Sequence, residues 1–385
     1  MSEIRPDVGL PNLARNVAVD ILVHGAQSRA SLADRMGISA ATVTRIVRPL
    51  LDAGLLVESA TVRTAERGRT ALALDVLAER HRYIGVKLTT DTLYAVATDL
   101  RARVLDTVTV PIRPSRTSDV VETVARVVAE LRAGGDVPLD AVGVTVGGHV
   151  AEGENVVDSP FLGWQDVPFR ALLRERLDVP VYVDNDVVGL TTVQHWFGHG
   201  RGHQSFALLT VGAGIGYGLV VNDEIVPTEA TPVSHLPVEP SGPLCPLGHR
   251  GCMSAYLVSD AIAAAVSVGH HRATSFAEAL RLATSDDVVA LRVVREASHA
   301  LGRAANAVAV LTGVERIILS GEGVHLAEIA PDALHEGFRE YDIHPTPRAE
   351  LIVRPMDFLE WARGAASLAI QAEFPRVRGS AGATA

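Results

Sequence analysis

The hydrophobic and polar positions between residues 28 and 53 predict two short helices separated by a glycine. Residues 28–36 form the first helix, Gly37 ends it, and Ser39 restarts the chain as an N-cap. After Ser39 the apolar side chains recur every three or four residues, which predicts one buried helical stripe: Val43, Ile46, Val47, Leu50 and Leu51. The opposite face carries small, hydroxylated and basic side chains, the composition with which a helix enters the major groove of DNA.

Two short strands are predicted after the second helix, over residues 55–59 and 70–74, with a basic turn between them. An upstream helix, with Leu13, Val17 and Ile21 spaced four residues apart, completes a small core. A hairpin in this place is the wing of a winged helix, and its arginines would lie on phosphates. We therefore predict a DNA-binding domain over residues 1–76, with these contact residues: Ser39, Thr42, Thr44, Arg45, Arg48, Arg67 and Arg69. The alternative is an ordinary helical hairpin with a solvated outer face.

The charge distribution favours the DNA-binding interpretation. Residues 28–70 contain seven arginines and four carboxylates, a net charge of +3, whereas the whole chain carries −10. Because an acidic body repels DNA, binding should be confined to the basic end. A charge of +3 is small for tight binding by one head. We therefore expect a homodimer or homotetramer that binds a palindromic double-stranded operator.

The composition predicts a cytoplasmic protein with no membrane partner. No stretch is long and apolar enough to span a bilayer, and residues 1–7 lack the apolar core of a signal peptide. Two cysteines in 385 residues give no disulfide framework. Roughly 310 residues follow the wing, more than one domain usually holds. Their strand, helix and glycine-turn patterns predict two α/β lobes.

Several motifs after the wing resemble those of the ROK family of sugar kinases and sugar-responsive repressors, over nearly the whole chain. They are Leu162-Gly163-Trp164, Asp184-Asn185-Asp186, and residues 197–202, 212–216, 248–252 and 319–323. The resemblance implies a two-lobed actin-like fold of the α/β class, preceded in the repressor branch by a winged helix-turn-helix. We expect lobe I over residues 77–195 and lobe II over 196–357. A helix near 358–375 should return to lobe I, and residues 376–385 should form a disordered tail.

The first strand of the kinase-like body departs from the family pattern. By resemblance, ROK kinases place an acidic residue, glycines and a threonine there, which cradle phosphate and metal-bound ATP. In this chain Lys87 replaces the acid, and Thr89 and Thr90 replace the glycines. Side chains then crowd the turn where backbone should meet phosphate, and a lysine cannot ligate Mg²⁺. We therefore expect no ATP cofactor, no catalytic residue and no enzyme activity.

The sugar site implied by the resemblance is only partly retained. Asn185, Asp186 and His235 are present, with Asp186 at the position of the kinase base, and Gly148 ends a predicted strand beside them. These four residues are the predicted ligand site. Two family glutamates are absent, because Pro232 and Ser254 stand at their positions. The site therefore binds a different ligand, binds sugar weakly, or binds none. The alternative for Asp186 alone is a carboxylate that caps a turn.

A zinc site is also implied by the resemblance, with an incomplete ligand set. Zinc-binding family members use a histidine and three cysteines, and this chain retains His235, Cys245 and Cys252. Leu247 replaces the middle cysteine, and His249, two residues further on, is a candidate for the missing ligand. Two interpretations remain open for these residues: a structural zinc with an incomplete ligand set, or two reduced cysteines beside a packed histidine.

Together these features predict a DNA-binding transcriptional repressor. Its non-catalytic, kinase-like body would form the oligomer and sense a sugar or sugar-derivative effector, with lobe motion changing the spacing of the DNA heads. One alternative is an active ATP-dependent sugar kinase with a regulatory DNA-binding head. Another is a ligand-independent DNA-binding regulator. The phosphate turn at Lys87 separates the first two and favours the regulator.

Overall fold

The computed structural model describes residues 12–63, 70–113, 116–227, 233–340 and 349–374. The chain divides into two compact units, Met1–Gly202 with Ala362–Ala385, and His203–Trp361. The predicted tail over residues 376–385 lies outside the described residues. Across the described ranges, no helix combines the length and the apolar composition that crossing a membrane requires.

The first unit begins with three helices and a three-stranded sheet: α1 (Asn12–His24), β1 (Gln27–Ser28), α2 (Arg29–Met36), α3 (Ala40–Asp52), β2 (Leu56–Arg63) and β3 (Thr70–Val76). We call residues 12–76 the head. β2 and β3 pair antiparallel, and β1 pairs with the other edge of β3. The predicted helix-turn-helix with a hairpin wing is confirmed, while β1 was not predicted.

Local capping explains where the head helices begin and end. The Ser28 hydroxyl accepts a hydrogen bond from the Ser31 N–H (3.1 Å) at the start of α2, and Gly37 ends that helix at φ +65°. In α1, Val17 and Ile21 are fully buried as predicted. The prediction for Leu13 was wrong. It lies in the first turn of α1 and is 36% exposed, because Ala14 faces the core there.

The remainder of the first unit is built on a five-stranded sheet in the order β11-β7-β4-β5-β6. β7 is parallel to its neighbours β4 and β11, whereas β4, β5 and β6 are antiparallel. Strands β8, β9 and β10 form a separate small sheet. The elements are β4 (Arg82–Leu88), β5 (Thr92–Thr98), β6 (Val104–Pro111), α4 (Thr117–Ala133), β7 (Leu139–Val146), β8 (His149–Ala151), β9 (Asn155–Ser159), β10 (Trp164–Val167), α5 (Phe169–Arg174), β11 (Val181–Asn185) and α6 (Asp186–Phe197).

The second unit repeats this plan. Its sheet has the order β14-β13-β12-β15-β16, with three antiparallel strands followed by two that continue parallel to β12. The elements are β12 (Phe206–Val211), β13 (Ile215–Val221), β14 (Glu224–Val226), α7 (Met253–Leu257), α8 (Ser259–His270), α9 (Phe276–Thr284), α10 (Val288–Thr312), β15 (Arg316–Gly321), α11 (Leu326–Ile329), α12 (Pro331–Arg339) and β16 (Glu350–Pro355). The shared strand order identifies two copies of one α/β topology.

The last described helix, α13 (Phe358–Glu373), belongs to the first unit from Ala362 onward. It packs closely on β4 and β7, because both strands carry a glycine at the contact. A Cβ on Gly85 would lie 2.0 Å from the Ala362 carbonyl oxygen, and one on Gly143 would lie 1.8 Å from that of Ala365. The end of α13 packs in the same hydrophobic cluster as α1 and α3.

Arg101, in the turn between β5 and β6, fastens the head to the sheet of the first unit. Its guanidinium donates to the Ile21 carbonyl (3.2 Å) near the end of α1 and to Asp75 Oδ1 (2.5 Å) in β3. Its neighbours Leu100 and Ala102 are fully buried in the cluster that contains α1. The head therefore shares a core with the first sheet.

Candidate functional site

The helix α3 has the buried stripe that the sequence predicts. Ser39 caps it by accepting a hydrogen bond from the Thr42 N–H (3.1 Å). Val43, Val47 and Leu50 are fully buried. This packing fixes which face of α3 points outward.

The outward face of α3 carries two exposed arginines, Arg45 and Arg48. Neither forms an ion pair with another residue in the described part of the chain. Thr44 is exposed and its hydroxyl bonds to the Ala40 carbonyl (3.0 Å), while Thr42 is half-buried against the Ser39 hydroxyl. Four of the predicted DNA contacts thus lie in α3, and a fifth, Ser39, is its N-cap. The other two, Arg67 and Arg69, lie outside the described residues.

In the first unit, Gly148, Asn185 and Asp186 come together where β7 and β11 end. The Asn185 side chain donates to the Gly148 carbonyl (2.6 Å) and accepts from the Val187 N–H (2.8 Å) at the start of α6. Gly148 has φ +138°, and a Cβ there would lie 2.2 Å from the Asp158 carbonyl oxygen. Only glycine fits this position, and its carbonyl accepts the hydrogen bond that holds the Asn185 side chain.

Asp186, the first residue of α6, is ion-paired with Lys87 of β4. Lys87 Nζ donates to Asp186 Oδ2, and the side chains are only 7% and 15% exposed. The other carboxylate oxygen accepts from the Val187 N–H (2.9 Å). A carboxylate held in this way is engaged within the protein rather than open to a substrate hydroxyl. The sequence singled out both residues but not their pairing.

The turn that follows Lys87 is closed by hydrogen bonds between two of its residues, Thr89 and Thr92. The Thr89 hydroxyl donates to the Thr92 carbonyl (3.0 Å) and accepts from the Thr92 N–H (3.2 Å). The Thr89 N–H also donates to that carbonyl (2.9 Å). Two backbone N–H groups of the turn between β4 and β5, those of Thr89 and Thr92, are therefore engaged within the turn and do not point at a phosphate.

A second glycine turn, in the second unit, already holds an anion from the protein. The Ala213 N–H donates to Glu322 Oε1 (3.0 Å). A Cβ on Gly212 would lie 1.9 Å from the same oxygen, so glycine is required for this contact. Amide groups in such turns bind anions such as phosphate. The Glu322 carboxylate takes that place here, a feature that the sequence did not predict.

Three candidate metal ligands converge in the second unit. The ligand atoms of His235, Cys245 and Cys252 all lie within 4.8 Å of one another. His235 Nδ1 is 3.8 Å from Cys245 Sγ and 3.7 Å from Cys252 Sγ. A tetrahedral zinc, with Zn–S of about 2.3 Å and Zn–N of about 2.0–2.1 Å, holds its sulfur and nitrogen ligands about 3.6 Å apart. The three residues therefore fit a zinc ion.

The surroundings of His235 and Cys245, but not those of Cys252, favour the protonation state that binds metal. Burial and then the nearby charge of His249 lower the pKa of His235, which keeps its imidazole neutral. Burial opposes ionisation of Cys245, but backbone N–H groups, first that of Leu247, outweigh it and lower the pKa of this thiol. Burial raises the pKa of the Cys252 thiol. Of the two cysteines, Cys245 therefore loses its proton more readily.

The other predicted residues near this cluster have separate places. Leu247 is 72% exposed and carries no ligand atom, whereas His249 Nδ1 is 3.6 Å from Cys245 Sγ. The Ser254 hydroxyl donates to the Ser234 carbonyl (2.9 Å). Pro232 lies outside the described residues. His235, also predicted for the sugar site, lies beside Cys245 and Cys252.

The segment that carries the cysteines is anchored to α10 by an arginine. Arg303 donates to Glu239 Oε2 (2.5 Å) and to the Val238 carbonyl (2.8 Å), and pairs with Glu340 beyond α12. Hydrogen bonds from Ser241 and from Arg303 lower the pKa of Glu239 to about 2. The sequence did not predict this anchor, because Arg303 and Glu239 lie 64 residues apart along the chain.

The chain belongs to the ROK family, whose sequence model matches residues 83–372. It is similar to the xylose repressor of Bacillus spizizenii, with 22% identity over 289 residues, covering 74% of this chain and 75% of that protein. Together with the two related sheets and the N-terminal head, this membership defines a winged helix-turn-helix followed by an actin-like kinase fold.

Two solved structures resemble the chain in fold. One is a ROK family transcriptional regulator, a homologue of the E. coli Mlc protein, with a TM-score of 0.79 and 21% identity over 94% of this chain and 97% of that one. The other is a ROK family glucokinase from Streptomyces griseus in complex with glucose and AMPPNP, with a TM-score of 0.65 and 24% identity. It covers 74% of this chain and 98% of that one.

Proposed function

We propose that this chain is a ROK-type transcriptional repressor that binds double-stranded DNA. The main support for DNA binding is the outward face of α3, where Arg45 and Arg48 are exposed beside small and hydroxylated residues. Such a face suits base edges and phosphates in the major groove. The match to a regulator over 94% of the chain, head included, and the similarity to a xylose repressor support the proposal.

The kinase-like body is, in this proposal, not catalytic. Three local features support this: the ion pair of Lys87 with Asp186, the closed turn at Thr89, and the Glu322 carboxylate on the glycine turn at Gly212. The first feature engages the carboxylate that would serve as the general base. The other two occupy turns whose backbone N–H groups would bind the phosphates of ATP. No ATP is expected to bind.

An active sugar kinase with a DNA-binding head is the second candidate. The retained Asp186 and the similarity to a glucokinase in complex with glucose and AMPPNP favour it. This candidate requires Lys87 to release Asp186 during turnover. ATP consumption that depends on both a hexose and Asp186 would distinguish it from the regulator.

The effector of the repressor is proposed to be a sugar or sugar derivative. Asn185 and Asp186 retain the polar groups that would bind hydroxyls. The ligand-independent alternative is favoured by Ser254, whose hydroxyl already donates to the Ser234 carbonyl. A thermal-shift screen of sugars and sugar phosphates, with DNA release measured for each stabilising compound, separates the two.

We further propose a structural zinc held by His235, Cys245 and Cys252. Bound zinc would link these residues and add its binding free energy to that of folding. We also propose the boundaries 1–76, 77–195 and 196–357, a cytoplasmic location, and a homodimer or homotetramer on a palindromic operator. The charge supports the last point, since the net charge of +3 over residues 28–70 is small for tight DNA binding by a single head.

Selection from a random DNA library, followed by footprinting, tests the regulator directly. We expect a palindromic site whose half-sites are separated by whole helical turns, because paired heads impose that spacing. Affinity should fall as salt rises, with a slope set by the phosphates contacted. Recovery of no preferred sequence, or of a single asymmetric half-site, would contradict the proposed binding mode.

A further inference from the structure

The proposed zinc site lacks a fourth protein ligand in the set His235, Cys245 and Cys252. Structural zinc sites are closed by four ligands, most often from cysteine and histidine. Leu247 stands where the family pattern has a cysteine. Its side chain is apolar, carries no ligand atom and is 72% exposed. The fourth ligand must therefore come from another residue or from water.

His249 is placed to supply it. Its Nδ1 atom lies 3.6 Å from Cys245 Sγ, the separation of two ligands on one tetrahedral zinc. The His249 and His235 rings lie 4.4 Å apart between centroids, at an interplanar angle of 50°. His249 is exposed and lies outside the compact set of three, so its imidazole has to turn inward to ligate.

The backbone around His249 already has the geometry of a ligand loop. The Cys245 N–H donates to the His249 carbonyl (2.9 Å), and the Gly248 N–H donates to the Cys245 carbonyl (2.9 Å). Gly248 has φ +84°, which permits this tight turn. The turn fixes His249 beside Cys245, so only side-chain torsions of His249 must change for its ring to reach the metal.

We propose that His249 is the fourth zinc ligand and replaces the cysteine absent at Leu247. The inference rests on the proposed zinc site and deepens it. The set becomes two thiolates and two neutral imidazoles, whose charges balance Zn²⁺. Binding moves His249 from solvent into the cluster, and thereby ties the surface turn at residues 245–249 to the buried Cys252.

Cobalt titration of the reduced full-length protein tests this, because tetrahedral Co²⁺ has visible bands that report the ligand set. We expect wild-type protein to give tetrahedral bands, with zinc displacing the cobalt. The change His249→Ala should lower Co²⁺ and Zn²⁺ affinity at least about tenfold, since even indirect partners of metal ligands contribute that much. It should also alter the bands. His325→Ala, at another exposed histidine of the second unit, is the matched control and should change neither.

A second variant separates a lost ligand from a disturbed turn. In Leu247→Cys/His249→Ala, we expect tight binding to return with stronger sulfur-to-cobalt charge transfer. Wild-type affinity and bands in His249→Ala would overturn the assignment and leave water as the fourth ligand. If wild-type protein and Cys252→Ser both fail to bind Co²⁺ or Zn²⁺, the zinc proposal itself fails, and the assignment of His249 fails with it.

Discussion

The outward face of α3 and the kinase-derived site at β4 and α6 use charged residues in opposite ways. On α3, Arg45 and Arg48 point outward without an ion pair to another described residue. At the kinase-derived site, Lys87 is turned onto Asp186 and both side chains are nearly buried. A charge without an internal partner is available to a phosphate, whereas a charge paired inside the protein is not. The difference indicates that the exposed arginines of α3, and not the lysine of the kinase-derived site, are placed to contact a phosphate.

The largest expected effect comes from breaking the internal pair. Lys87→Met should lower the free energy of unfolding by about 3 kcal/mol, because it leaves the Asp186 carboxylate buried without its cation. Urea denaturation measures this. The double variant Lys87→Met/Asp186→Asn should recover most of the loss, since neither charge then remains. Equal stability of wild type and Lys87→Met would show that the pair contributes nothing.

The change Arg45→Ala tests whether the exposed arginines of α3 contact DNA. We expect specific DNA affinity to fall by about 1–3 kcal/mol, or roughly 5- to 150-fold, if Arg45 contacts a base edge. Fluorescence anisotropy with the selected operator measures it. Arg132→Ala removes the same charge from α4, where Arg132 pairs with Asp178 on the body, and serves as the control. Equal losses in the two variants would mean that only overall charge matters.

The attachment of the head to the body gives a smaller effect. Arg101→Ala removes the hydrogen bonds to Asp75 and to the end of α1, and should lower the free energy of unfolding by about 1.5 kcal/mol. Amide hydrogen exchange in α1 should become faster. Arg103→Ala, at an exposed position of the same turn, should leave that exchange unchanged. Unchanged protection of α1 in Arg101→Ala would show that the buried core alone holds the head.

The smallest expected effect is a pH dependence of stability. It arises from Glu239, through which Arg303 anchors the segment that carries the cysteines. The folded-state pKa of Glu239 is about 2, below its ordinary value of 4.5. Its contribution to stability is therefore present above about pH 4.5 and is lost as the pH falls toward 2. In EDTA-treated protein, wild-type stability should decline more steeply below pH 4.5 than that of Glu239→Gln. Parallel declines would contradict the assigned hydrogen bonds.

The sequence predicted the elements of the head well, because their periods and caps are local. The stripe of α3, its Ser39 cap and the wing strands follow from spacing alone, and Leu13 failed because a helix start shifts which position faces the core. The pairing of Lys87 with Asp186 could not be predicted in this way, since 99 residues separate them. The same holds for Glu322 on the turn at Gly212, where the fold, rather than any pattern, creates the contact.

The most direct test of the account is an assay for sugar-kinase turnover, which would require Asp186, the partner of Lys87, to act as the base. Purified protein with ATP, Mg²⁺ and a panel of hexoses should consume no more ATP than Asp186→Ala, because Lys87 holds the carboxylate that would act as the base. Hexose-dependent turnover in the wild type that disappears in Asp186→Ala would contradict the account and make the chain a sugar kinase.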